Sequence, residues 1–185
     1  GINTMRKQLP WLLEDAENGL SALLRQLLSQ GQQQLYELDA HIEDYDRLIR
    51  EQNQQNEACQ RLQAIPGFGP IVASVFASYV GNGHGYRRGR DVSASLGLVP
   101  RQHSSGGKDQ LLGISNRGDR YLRCLLIHGA RAAVNAAAKK EDNLSRWINH
   151  VRARRGIHKA TVALANKLAR IGWAMLYNTT CYRPA

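Results

Sequence analysis

Cysteine is scarce and scattered in this chain. Cys59, Cys124 and Cys181 are the only three in 185 residues, an odd number, and none belongs to a C-x-x-C pair. That argues against a zinc module and fits a reducing cytoplasm. The six histidines show no ligand spacing with the cysteines, so no metal site is expected. No apolar run approaches the roughly 20 residues that span a bilayer, and no signal-peptide pattern opens the chain. A cytoplasmic protein without membrane association is the expectation. Carboxylates are also few where they would matter: residues 61–185 contain only Asp91, Asp109, Asp119, Glu141 and Asp142. A two-metal nuclease needs several of them clustered, and Asp119 reads as a helix cap rather than a ligand. No stretch alternates apolar and polar convincingly, which leaves an all-α fold.

The charge that is present is unevenly placed. Residues 1–60 hold 5 Lys/Arg and 10 Asp/Glu, a net of −5, whereas residues 61–185 hold 20 and 5, a net of +15. A segment that basic gathers anions, and a nucleic-acid backbone is the commonest polyanionic partner. The length suits one domain or a domain with an appendage. Gly1 in place of an initiator methionine suggests a trimmed or partial chain.

Leu20, Leu24, Leu27, Leu35, Leu38, Ile42, Tyr45 and Ile49 recur at steps of three and four, with one longer gap around Gly31. This pattern predicts a long helix or helical hairpin that buries one face, a coiled-coil arm over residues 1–60. Asp15 or Asn18 would cap it. Its acidic outer face is either a plain solvated surface or a regulatory, RNA-avoiding one. A compact helical domain is expected over residues 61–185, with helices near 71–80, 91–98, 119–138, 143–154 and 159–177. The stretch between Arg101 and Gly113 has no consistent period and reads as an ordered loop.

Three motifs carry chemistry. RLQAIPGFGPIVA, residues 61–73, has an apolar helix end, a Gly67-Phe68-Gly69 turn and an apolar helix start, the pattern of a helix-hairpin-helix over about 62–80. Gly67 and Gly69 would expose backbone N–H groups, and the following helix start would add the positive end of its dipole, a cradle for phosphate that reads backbone rather than bases. A plain αα turn is the alternative. LGLVPRQHSSGGK, residues 96–108, sets Ser104 and Ser105 among Arg101, His103 and Lys108 beside two glycines, in a loop of about residues 99–113. Nearby cations could activate one serine toward phosphorus; otherwise this is a flexible polar loop. The spacing excludes a Walker loop. GISNRGDRYLRCLL, residues 113–126, repeats Arg117, Arg120 and Arg123 every third residue, as a nucleic-acid contact or as a solvated basic face. Arg152, Arg154, Arg155, His158 and Lys159 form a second basic cluster at an interhelix joint.

Together with LLIHGARAAV and ALANKLARIGWAML, these blocks closely resemble the C-terminal half of transposases of the IS110 family (also called IS116/IS110/IS902), and most of all its IS1111 branch. The resemblance runs over about residues 12–184. It implies a serine that attacks DNA and forms a phosphoserine link, directly before a glycine, hence Ser105, with adjacent Ser104 as the alternative. It implies that the helical arm dimerises or forms a higher homo-oligomer. It also implies an N-terminal RuvC-like domain, absent from this chain, that binds divalent metal (Mg), and a structured guide RNA that selects DNA. A bacterial, nucleoid-associated protein whose fragment is inactive alone would follow. The alternative is a non-catalytic helix-hairpin-helix module that binds DNA or RNA.

Overall fold

The computed structural model describes residues 1–105 and 108–183, with side chains for all of these except 103–105 and 108–111. Among the described residues the fold is all-α, with one small two-stranded hairpin added. Two compact units divide at Leu48 and Ile49, within one continuous helix.

In the first unit, α1 (Ile2–Glu14) is joined by residues 15–21 to α2 (Ala22–Gln54), which runs unbroken through Gly31. Ser21, rather than Asp15 or Asn18, caps α2: its Oγ accepts the Leu24 N–H at 3.2 Å. The short side chain one position before the helix reaches the third free amide. Asn18 instead shapes the turn by accepting the Leu20 N–H. Arg25 closes the open end of α1, donating to the carbonyls of Leu12, Leu13 and Asp15. Arg6 pairs with Asp39 at 3.1 Å, so α1 runs back along α2. The apolar seam stays uncovered within this unit: Leu27, Leu38, Ile42 and Tyr45 are all more than half exposed.

The second unit holds the core. After α2, Asn56 caps α3 (Glu57–Gln63) through its side chain, and α4 (Pro70–Val80) begins after a six-residue turn. Then follow α5 (Gly89–Ser95), strands β1 (Pro100–Ser105) and β2 (Lys108–Ile114), α6 (Arg120–Ala137), α7 (Asn143–Arg155) and α8 (Ile157–Tyr177). Helix α8 is the hub, packing against α3, α4, α5, α6 and α7. Its Leu164, Ala165, Leu168 and Ala169 are fully buried among Phe76, Leu122, Leu126 and their neighbours. Asp119 caps α6, Asp142 caps α7, and Gly156 at φ 80° breaks α7 from α8. Phe68 and Phe76 meet edge to face at 5.2 Å, a favourable aromatic geometry. No helix of the described residues is long and apolar enough to cross a membrane.

Candidate nucleic-acid interface

The stretch expected as a loop is a β-hairpin. Its strands are antiparallel, with Ser105 opposite Lys108, Ser104 opposite Asp109 and His103 opposite Gln110. The pairing slips between Pro100 and Gln102, where β2 carries one extra residue near Leu112 and Gly113. Such a bulge bends the ribbon at its base. Gly106 and Gly107, between the strands, lie outside the described residues, as do the side chains of His103, Ser104, Ser105 and Lys108. The sequence did carry a signal for this hairpin: two glycines separating two short runs are what a tight hairpin turn needs.

Close backbone packing fixes the neck of the hairpin. Gly97 has φ 68°, and a Cβ there would sit 2.2 Å from the Arg117 carbonyl oxygen. Gly118, at φ 78°, likewise lies against the Ser95 carbonyl. Only glycine permits both this conformation and this approach. The Ser115 N–H donates to Val99 O at 2.8 Å and the Asn116 N–H to Gly97 O at 3.2 Å, closing the two legs.

Arg123 completes the clamp. Its side chain does not join Arg117 and Arg120 on an outer face but turns inward, 7% exposed. The guanidinium donates to Leu96 O and Arg117 O, both at 3.0 Å, and to Asp119 O. It thus ties the end of α5 to the segment entering α6. The three-residue repeat breaks down because α6 starts only at Arg120, so Arg117 belongs to the preceding turn. Arg117 and Arg120 are exposed, and so is Arg101 on β1.

The two turn glycines divide in role. Gly67, at φ 95°, backs onto α6: a Cβ there would sit 2.7 Å from Gly129 O. It therefore sets helix packing. Gly69 is exposed with open space around its Cα, and α4 has no side-chain cap at that end. Pro70 has no N–H to lose, so the amides of Ile71 and Val72 are the free donors there.

A cleft of about 920 Å³ lies between the hairpin base and α8, with Trp147 of α7 at one side. His158, Lys159, Lys167 and Arg170 line it, and no Asp or Glu does. In the sequence His158 and Lys159 stand out only as part of a basic cluster, and Lys167 and Arg170 do not stand out at all. Lys159, Lys167 and Arg170 lie eight and three residues apart along α8, close to two turns and one turn, which is the one clue the sequence offers. Arg152, Arg154 and Arg155 are exposed in the last turn of α7, where cations suit the helix dipole.

Burial pushes the Cys59 thiol up, which leaves it inert. Burial also raises the Tyr79 hydroxyl, which donates to Ser95 Oγ at 3.2 Å. Among the described residues no group of three or more His, Cys, Asp or Glu could hold a metal ion.

A family model described as "Transposase IS116/IS110/IS902 family" matches residues 59–146. The chain is 48% identical over 165 residues to a "Probable family 20 transposase" of Pseudomonas aeruginosa, covering 89% of this chain and 49% of that protein. It is 45% identical over 184 residues to the "Transposase for insertion sequence element IS1111A" of Coxiella burnetii, covering 99% and 50%. Against the "Transposase for insertion sequence element IS1328" of Yersinia enterocolitica the figures are 40% over 166 residues, 90% and 50%. The chain spans about half the length of the curated relatives it matches.

Proposed function

The chain belongs to the IS116/IS110/IS902 transposase family, and on that premise we propose that it is the half of a DNA transposase that grips nucleic acid and supplies a serine nucleophile. Ser105 is the nucleophile, with Ser104 as the alternative. Its Oγ attacks the phosphorus of a phosphodiester. An O–P bond forms to serine, one bridging P–O bond breaks, the serine proton passes to a base, and a proton delivered to the departing oxygen lets that strand end leave as a hydroxyl. A hydroxyl from another strand then reverses the attack and frees the serine. Arg101, His103 and Lys108 stabilise charge on the phosphate oxygens, and Arg117 and Arg120 hold the backbone nearby. Arg123, sequestered from solvent, acts by holding the hairpin neck. Gly67 and Gly69 form the turn of a helix-hairpin-helix that engages phosphate at the start of α4.

The observation that carries this reading is a ribbon whose paired backbone ends in Ser104 and Ser105, mounted on a locked neck and flanked by three exposed arginines. On this reading the complete protein also carries an N-terminal RuvC-like domain that would hold a divalent ion (Mg), and the curated relatives are long enough to include one. The described residues offer no cluster for that ion, so no step here runs through it. A structured guide RNA is the second nucleic-acid partner. The uncovered seam of α2 supports association with a second copy through a coiled-coil arm.

The test is Ser105→Ala and Ser104→Ala in the full-length protein. Transposition should fall by more than about a thousandfold for one of them only, with DNA binding retained. A protein–DNA adduct on the essential serine should appear by mass spectrometry. Full activity in both variants would leave a non-catalytic helix-hairpin-helix module as the better account.

A further inference from the structure

The cleft at the hairpin base is separate from the serine pair. Five strand steps of roughly 3.3 Å put Ser105 about 16 Å from Pro100 along the ribbon. One wall is the face of α8 that carries His158, Lys159, Val162, Ala163 and Arg170; the other is the bulged base of β2 with Leu112 and Ile114. The floor is therefore apolar and the rim cationic. Lys167 rests 4.6 Å from the centroid of the Trp147 ring, so a cation and an indole are held side by side at one end. Asn166 is already engaged, donating to Leu98 O at 3.1 Å and fixing the wall. Among the described residues no carboxylate pairs with Lys159, Lys167 or Arg170.

We propose that this cleft holds one unpaired nucleotide of a single-stranded stretch, its base against Leu112, Ile114 and Trp147 and its phosphate on Lys159 and Arg170. The volume falls within the ~300–1,000 Å³ of ordinary ligand clefts. An apolar floor gains nothing from a duplex, whose bases are stacked inward and which presents only phosphate and groove edges. A base already out of the stack can enter and bring its π-face to the apolar wall, at little cost to itself. Uniform positive charge around the rim then selects an anion over a neutral apolar ligand. The proposal rests on the nucleic-acid reading of the basic unit but not on serine chemistry. It assigns the hairpin two ends with two tasks: the base grips an exposed nucleotide while the tip meets a phosphodiester.

Fluorescence anisotropy of the 185-residue chain with labelled oligothymidylate, oligouridylate and duplex DNA, each about ten nucleotides long, tests it. Ala163→Phe fills the cleft from a half-buried position on α8. It should weaken single-strand binding by about tenfold or more and change duplex binding by less than about twofold. The relative strength of the DNA and RNA arms identifies which strand supplies the nucleotide. Lys159→Ala with Arg170→Ala, both exposed, removes the phosphate-holding cations without touching the core, and decides the matter if the phenylalanine variant misfolds. That pair should lower the salt dependence of single-strand binding by about 0.7 in slope for each phosphate no longer neutralised. Unchanged single-strand binding in a folded filled variant overturns the cleft assignment alone, and a protein segment becomes the better occupant. Failure of the unaltered chain to bind any of the three probes overturns the nucleic-acid reading and the cleft with it.

Discussion

The two units of this chain handle apolar surface in opposite ways. In residues 1–48 Leu9 is the single buried residue, while Trp11, Leu23, Ile42 and Tyr45 lie mostly in solvent. In residues 49–185 most side chains of the same kinds converge on α8 and are buried, with Ile71, Leu112, Tyr121 and Tyr177 left exposed. A core that closes on itself stabilises its unit alone. A seam at helical spacing that stays wet has its stabilisation still to come, from another surface. The charges follow the same division, acidic around the seam and basic around the core.

The sharpest way to break this comparison is to truncate one large side chain in each unit. Phe76→Ala, which empties a fully buried site, should cost about 3–5 kcal/mol in chemical denaturation. Leu27→Ala, at a position 54% exposed, should change the monomer by no more than about 0.5 kcal/mol yet weaken any concentration-dependent association seen by sedimentation. Equal losses at both positions would mean that the arm has a hidden core.

The next largest effect belongs to the neck. Arg123→Met keeps much of the volume but strips the donor from three carbonyls, and should destabilise the basic unit by about 2–3 kcal/mol. Surface arginines offer the contrast: Arg120→Met should stay within about 0.5 kcal/mol. A smaller change is Asp119→Ala, which removes the cap from α6 and should cost about 1 kcal/mol by thermal unfolding.

The smallest is a pH effect at Asp142. Hydrogen bonds from the Ser145 hydroxyl and amide hold this carboxyl below the ordinary aspartate range. A lowered folded value means that the cap contributes fully above the unfolded value, near pH ~3.9, and fades as pH falls through the folded one. Asp142→Asn should therefore cost a little stability at neutral pH and nothing below the folded value, which flattens the acid limb of the profile. A loss confined to alkaline pH would show the assignment to be wrong.

Helices are legible in the sequence because their signals are local. Asp119, Asp142 and Gly156 each act within a turn of their own position, and the boundaries of the five helices expected over residues 61–185 fall within three residues of those observed. The hairpin shows only in its pair of glycines, because Arg101 to Ser105 contains no apolar residue whose alternation could mark a strand. Arg123 misleads for a related reason. An arginine three residues after another on a helix looks like surface, and its partner Leu96 lies 27 residues away in the chain. The cleft is further still from legibility, since its walls come from β2, α7 and α8. Gly67 stands out in the sequence for its freedom to turn, but what demands glycine there is the α6 backbone at Gly129.

The Arg123 guanidinium meets only backbone carbonyls and is shielded from the ions that compete at the surface. The joint beneath the ribbon should therefore hold at electrolyte levels that loosen exposed ion pairs. Strong brine would screen the exposed arginines around the ribbon while its footing stayed in place.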